Sequence, residues 1–289
     1  MNVRLLLVPF DTALRGWRMG AGPERLLDAG LCAHLERQGH RVDTVLVMPE
    51  SAHAPAEIRT AFELMRNLSQ QVQQARADAC FPLVLSGNCS TAAGTLSGLT
   101  PSKRAIFWFD AHGDCNTPDT TTTGFLDGTA LAIALGQCWH AMAAAVPGFL
   151  PASPAHALLL GTRDLDPSER ELIATSQLRA LTPDTLRGGS LDAELTRIAA
   201  AVDVAYVHCD LDVLDPSEGD VNPFQVPGGL RVEEVAQTID TIGRAMPIAA
   251  AAITAYAPEF DTYGRIPSAA FRIIDALIAV AAPRSGDVV

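Results

Sequence analysis

Three features of this chain predict an α/β fold of three layers, with helices covering both faces of a single, mostly parallel sheet. Short apolar runs alternate with segments of helical apolar spacing along the whole length, the pattern of repeated strand and helix units. The runs are apolar almost without interruption, as in Ala105-Ile106-Phe107-Trp108-Phe109, which marks strands buried on both faces. Ligand-type polar residues then follow directly on the runs, at the strand ends where open α/β sheets carry their sites.

Taken in order, Val3–Pro9 reads as a strand, followed by a Gly-rich loop through Gly20 and Gly22. Pro23 opens a helix over Glu24–Gln38, with Leu26, Leu27, Leu31 and Leu35 at helical spacing. Val42–Met48 is a strand, Ala56–Ala79 a long helix, and Pro82–Leu85 a third strand. The alternation continues with strand Ala105–Phe109, helix Gly128–Ala145, strand Ala157–Leu160 and helix Ser168–Thr175. It ends with strand Val204–Cys209, helix Val232–Ala245, strand Ile248–Thr254 and helix Ser268–Ala281. No linker or shift in composition divides the chain, so residues 1–289 are read as one domain.

Composition narrows the function. Hydrophobic residues make up 48% and charged residues 19%, enough for a large core. A net charge of −12 with no basic cluster argues against nucleic acid and is compatible with a cationic small molecule. The opening Met1–Pro9 run is too short for a secretion signal, and no apolar stretch is long enough to span a membrane. The cysteines at 32, 80, 89, 115, 138 and 209 show no C-x-x-C pairing, so they are expected as free thiols of a cytoplasmic protein.

The chemistry concentrates at two strand ends. Asp110, His112 and Asp114 alternate after Phe109, and in extended backbone such residues point the same way. Asp210 and Asp212 repeat the arrangement after Val204–Cys209. Either motif alone could be a strand-end turn. Together they offer five hard ligands, a set that favours manganese or magnesium over zinc. The segment Asn116–Gly124 is rich in small hydroxyl and amide donors, and Asp166-Pro167 with Glu169 is a helix-start signal.

Asp110-Ala111-His112-Gly113-Asp114, followed by Cys115-Asn116-Thr117-Pro118, and later Asp210-Leu211-Asp212-Val213-Leu214-Asp215-Pro216, resemble the signatures of the arginase (ureohydrolase) family. The resemblance covers most of the chain in family order. It implies an arginase-like αβα fold of about eight strands and a binuclear manganese site that activates a bridging hydroxide against a guanidinium carbon. Asp110 and Asp210 would bridge two Mn²⁺ ions, with Cys89 and Asp114 completing one site and His112 and Asp212 the other. Asp114 would be catalytic as well as a ligand. Asn116, Thr121 and Thr123 match the loop that holds an α-carboxylate, and Asp164, Asp166 and Glu169 match the acids that hold an α-amino group. The family also implies a homo-oligomer, often a trimer or hexamer.

The departures are as specific as the matches. Leu85-Ser86-Gly87-Asn88-Cys89-Ser90 stands where the family has Gly-Gly-Asp-His-Ser, so Cys89 replaces a metal-binding His and Asn88 an Asp. A thiolate is a softer donor than Mn²⁺ prefers. Gly124-Phe125-Leu126-Asp127-Gly128 replaces Gly-Asn-Leu-His-Gly, which puts Asp127 at the proton-shuttle position. Ala252 and Ala255 fall where arginases carry Asp and a guanidinium-binding Glu; Glu259 and Tyr256 are the nearby substitutes, and His208 is expected in a supporting role.

An intact head site with a weakened guanidinium site points to an amino acid whose tail is less basic than guanidinium. The Cys-for-His change resembles family members that hydrolyse Nω-hydroxy-L-arginine to L-ornithine and hydroxyurea in natural-product (antibiotic) pathways. The other readings are an ordinary arginase, a hydrolase of another amidine amino acid such as a formimidoyl compound, and a non-catalytic metal-binding relative.

Overall fold

A computed structural model describes residues 1–50, 56–100 and 102–281. The strands in chain order are β1 (Asn2–Val8), β2 (Phe10–Asp11), β3 (Leu14–Arg15), β4 (Arg41–Leu46), β5 (Cys80–Ser86), β6 (Arg104–Phe109), β7 (Ala157–Leu160), β8 (Arg179–Leu181), β9 (Val204–Asp210) and β10 (Ile248–Thr254). The helices are α1 (Gly22–Asp28), α2 (Leu31–Arg37), α3 (Glu57–Ala77), α4 (Ala92–Gly98), α5 (Ala130–Ala134), α6 (His140–Ala144), α7 (Pro167–Thr175), α8 (Pro183–Arg187), α9 (Leu191–Ala199), α10 (Val232–Ala245) and α11 (Ile266–Ala281). Eight strands form one sheet in the order β4-β1-β5-β10-β9-β6-β7-β8, with β2 and β3 pairing as a separate antiparallel hairpin. All neighbours in the large sheet run parallel.

The apolar runs alternate between two cores, as period-2 strands must. Leu5, Leu83, Phe107 and Val207 face the layer built from α1, α2, α9, α10 and α11. Leu6, Val84, Ile106, Trp108 and Tyr206 face the layer built from α3, α4 and α5. Trp108, Tyr206, Phe107 and Phe109 are fully buried, and burial of such side chains stabilises the fold by about 1.5–3 kcal/mol each. The predicted three-layer parallel architecture is what forms.

Local predictions fail where left-handed backbone interrupts helical spacing. The single helix expected over Glu24–Gln38 is two, broken at Gly30 with φ 96°. The helix expected over Gly128–Ala145 is the short pair α5 and α6, separated by Gly136 at φ 69° and Trp139 at φ 53°. β8, α8 and α9 lie in a stretch assigned no element from sequence, and the β2–β3 hairpin in one read as loop. These short pieces carry little periodicity of their own and are fixed by packing.

The hairpin and the Arg18–Ala21 turn after it cross the carboxyl end of β5. Gly87 permits the crossing, because a Cβ there would lie 2.7 Å from the Cα and nitrogen of Gly20 and against the carbonyl of Phe10. Gly87→Ala is therefore expected to lower stability by about 1–3 kcal/mol in denaturant unfolding. An unchanged midpoint would contradict this packing.

Candidate active site

Five neighbouring strands, β5, β10, β9, β6 and β7, end on the same edge of the sheet, and every motif follows one of these ends. Registry aligns them: Thr254 pairs with both Ser86 and Asp210, and Phe109 with Cys209. The loops enclose a cavity of about 220 Å³. Its lining includes Cys89, His112, Asp114, Asn116, Thr121, Thr123, Asp127, Asp164, Asp166, Glu169, Asp210 and Asp212. Of the residues expected to bind metal or substrate or to act in catalysis, only Asp110 is set behind the wall. It is 1% exposed and accepts a 3.0 Å hydrogen bond from Trp108 Nε1.

Asp110, Asp114, Asp210 and Asp212 are all buried. Donor atoms of Cys89, Asp110 and Asp114 lie within 4.8 Å of one another, and so do those of Asp110, His112 and Asp212, so the two groups share Asp110. Asp210 joins them by accepting from the Cys89 thiol at 3.1 Å. His112 Nδ1 lies 3.2 Å from Asp110 Oδ1 and 3.4 Å from Asp212 Oδ2.

Burial pushes the carboxyls of Asp110, Asp114 and Asp210 upward, and neighbouring carboxylates push them further. Burial also opposes ionisation of Asp212, but the hydrogen bond from His112 holds this carboxyl low. Burial and the surrounding acids, Asp210 first among them, raise the Cys89 thiol well above its ordinary value.

Four buried carboxylates thus face one imidazole. Arg163, whose guanidinium lies within electrostatic reach of Asp212, Asp110 and Asp210, spends its donors on the carbonyls of Gly161, Asp212, Val213, Leu214, Val226 and Pro227. Uncompensated buried charge of this kind costs several kcal/mol per ion unless a counter-charge is present. Oxygen-rich donors with one imidazole and one thiol fit divalent cations, whose positive charge would compensate the buried acids.

The Asn116–Gly124 loop and the loop that leads into α7 pack beside the cluster. Asn116 donates to Asp166 Oδ2 at 2.8 Å and accepts from Thr120 and Ser168. The Thr121 and Thr123 hydroxyls accept from the nitrogens of Gly124 and Phe125, which fixes the loop. Glu169 is 4% exposed, and both its oxygens accept backbone N–H groups, from Cys115 at 3.0 Å and Asp166 at 2.9 Å. It clamps the metal-motif loop to the start of α7, leaving Asp164 and Asp166 as the more open acids.

Asp127 is 7% exposed and accepts from Asn88 Nδ2 at 2.9 Å and Ser90 N at 2.7 Å. Burial raises its carboxyl to about 7, against the opposing pull of the Cys89 and Ser90 backbone donors. His208 is fully buried beneath the site, stacked on Trp108 at 3.7 Å and bonded to Tyr206 and Thr254. Burial lowers it to about 3, so it is a neutral support.

The proposed substitutes for the missing Glu are not at the pocket. Glu259 is exposed and outside the lining, and the Tyr256 hydroxyl donates to Asp261. Residues unflagged as pocket wall are Met19, Phe125, Asn222 and Phe224. Asn222 donates to the carbonyl of Ala255 at 2.9 Å and to Asp212 at 3.4 Å, holding Ala255 at φ 63°. Asn222 and Phe224 lie in a loop without periodicity, ten and more residues beyond the second acidic motif. Phe125, by contrast, was visible as the odd member of the Gly-Phe-Leu-Asp-Gly segment.

If the carboxylates hold divalent cations, Mn²⁺ at a hundred times its dissociation constant should raise unfolding free energy by about 2.7 kcal/mol for each site filled. Asp110→Asn should abolish that gain. A wild-type melting curve indifferent to Mn²⁺ would count against the site.

A family model described as "Arginase family" matches residues 1–279. An arginase of Bacillus caldovelox is 28% identical over 291 residues, covering 95% of this chain and 97% of that protein. The native structure of the B. caldovelox arginase superposes with a TM-score of 0.85 at 26% identity, covering 96% of this chain and 97% of the other. A formimidoylglutamase of Bacillus subtilis shares the fold at 19% identity, with a TM-score of 0.74 over 96% of this chain and 86% of its own. On the family match and the sheet-edge pocket together, this chain belongs to the arginase family, whose members are metal-dependent hydrolases of guanidino C–N bonds.

Proposed function

We propose that this chain hydrolyses the tail of an arginine-like amino acid that is less basic than guanidinium, with Nω-hydroxy-L-arginine, cleaved to L-ornithine and hydroxyurea, as the best candidate. One observation carries the reading. A single cavity joins the ligand cluster to the amide and acidic head loops, while Ala255, Met19, Phe125 and Phe224 line it without a carboxylate for a cationic tail. An Nω-hydroxyguanidine needs such a partner less than arginine does.

Cys89, Asp110, Asp114 and Asp210 would hold one Mn²⁺, and Asp110, His112, Asp210 and Asp212 a second. Bound there, the ions would supply a water of lowered pKa and a positive charge beside the reacting carbon. Asn116, Thr121 and Thr123 orient the α-carboxylate with neutral donors, and Asp164 and Asp166 receive the α-amino group. Glu169 keeps these two loops in register.

Water adds its oxygen to the tail carbon, and the bond from that carbon to the ornithine nitrogen breaks. One of the water's protons goes to the N-hydroxyimino nitrogen of the tail, and Asp127, at the pocket wall, passes the other to the leaving amine, which completes hydroxyurea and L-ornithine. The buried Trp108–His208 stack holds Asp110 from behind. The single large sheet supports reading residues 1–289 as one domain. The six unpaired thiols support a reducing, cytoplasmic setting. Among the described residues no helix is long and apolar enough to cross a membrane.

The test is a product assay on Mn²⁺-loaded protein with L-arginine and Nω-hydroxy-L-arginine in parallel. Ornithine from the hydroxylated substrate with little from arginine is expected. Efficient cleavage of arginine would make the chain an ordinary arginase, and cleavage of neither would reject both substrates. Ala255→Glu, which returns a carboxylate to the tail end, should raise arginine turnover relative to the hydroxylated substrate by about tenfold, a gain of roughly 1.4 kcal/mol.

A further inference from the structure

Asn88 occupies a position whose hydrogen bonds admit only an amide, and the residue it serves is Asp127. Its Oδ1 accepts the backbone N–H of Thr12 at 3.2 Å. Its Nδ2 donates to Asp127 Oδ2 at 2.9 Å and lies 3.4 Å from Asp11 Oδ1. The orientation is forced. A flipped amide would set its oxygen against two carboxylates and its NH₂ against an N–H donor.

The backbone of Asn88 is fixed as well. Its carbonyl accepts from the hydroxyls of Ser86 at 2.9 Å and Thr91 at 3.0 Å. Thr12 is aimed at it by a tight turn, with Thr12 at φ 44° and Ala13 at φ 70°. Behind it, Asp11 is fully buried and Arg18 Nε lies 3.6 Å from Asp11 Oδ2. The Arg18 guanidinium also lies 5.6 Å from the ring of Phe224 at the cavity wall.

We infer that Asn88 is the positioning residue that holds Asp127 against the cavity, and that Asn88 and Asp127 are complementary replacements for the acid and His of the family pattern. A carboxylate at 127 requires a donor at 88. An ionised acid at 88 would present only acceptors to Asp127 and Asp11. This inference rests on the hydrolase reading for its kinetic consequences but not for its structural one.

The experiment compares wild type, Asn88→Ala, Asn88→Asp and the double variant N88D/D127H, each Mn²⁺-loaded and checked for bound metal per chain. Crystal structures of wild type and Asn88→Ala accompany the kinetics. In Asn88→Ala the Asp127 carboxylate is expected to leave its place, with kcat down by about 100-fold while KM and metal content stay within about twofold. N88D should fall at least as far. The double variant, with donor and acceptor exchanged, should recover about tenfold or more over N88D.

An Asn88→Ala variant that keeps Asp127 in place overturns the inference, as does a double variant no better than N88D. If wild type cleaves neither substrate, the hydrolase reading fails by itself. The place of Asp127 in the two crystal structures then decides the role of Asn88 alone.

Discussion

Like charge brought out of water is the constraint on which the rest of this structure depends. Asp110, Asp114, Asp210 and Asp212 are buried around one point, with the His112 imidazole in contact with Asp110 and Asp212. Carboxylates do not gather so without compensation, and the surrounding protein is arranged to hold them. Backbone N–H groups of Ala111, His112 and Asp212 each donate to one of these acids. Trp108 reaches Asp110 from the core, and Arg163 laces the loops after β7 and β9 by their carbonyls.

From that centre the pocket divides its labour between two ends. The head end is crowded with acceptors and neutral donors, fixed by the Asn116–Asp166 bond and the Glu169 clamp. The tail end is apolar, and its backbone carries strain at Ala255, held by Asn222. On the proposed function, this contrast sets selectivity. A cation with full positive charge would find metal-site acids but no dedicated partner, whereas a flatter, less basic group loses little there.

Much of this was legible in the sequence, for physical reasons that differ by region. Buried parallel strands must be apolar throughout, so Ala105–Phe109 and Ile248–Thr254 announced themselves. Alternation at Asp110, His112 and Asp114 is meaningful because strand geometry turns it into convergence. Glu169 showed its helix-start role in the spacing from Asp166, though not that both its oxygens are consumed. What stayed hidden depends on contacts between distant segments. Asn222 and Phe224 reach the cavity from an irregular loop, the Thr12 amide finds Asn88 only through the hairpin, and the breaks at Gly30 and Trp139 follow from packing. Glu259 looked near enough in sequence to replace the missing Glu, but the chain turns it outward to solvent.

The central claim is that the buried acids form a two-ion centre with Cys89 among the donors. Anomalous diffraction from crystals of the Mn²⁺-loaded protein tests it directly. The account predicts two manganese peaks, one touching Cys89 and Asp114, the other touching His112 and Asp212, with Asp110 and Asp210 between them. A single peak that leaves Cys89 untouched, or none inside the cluster, would contradict it.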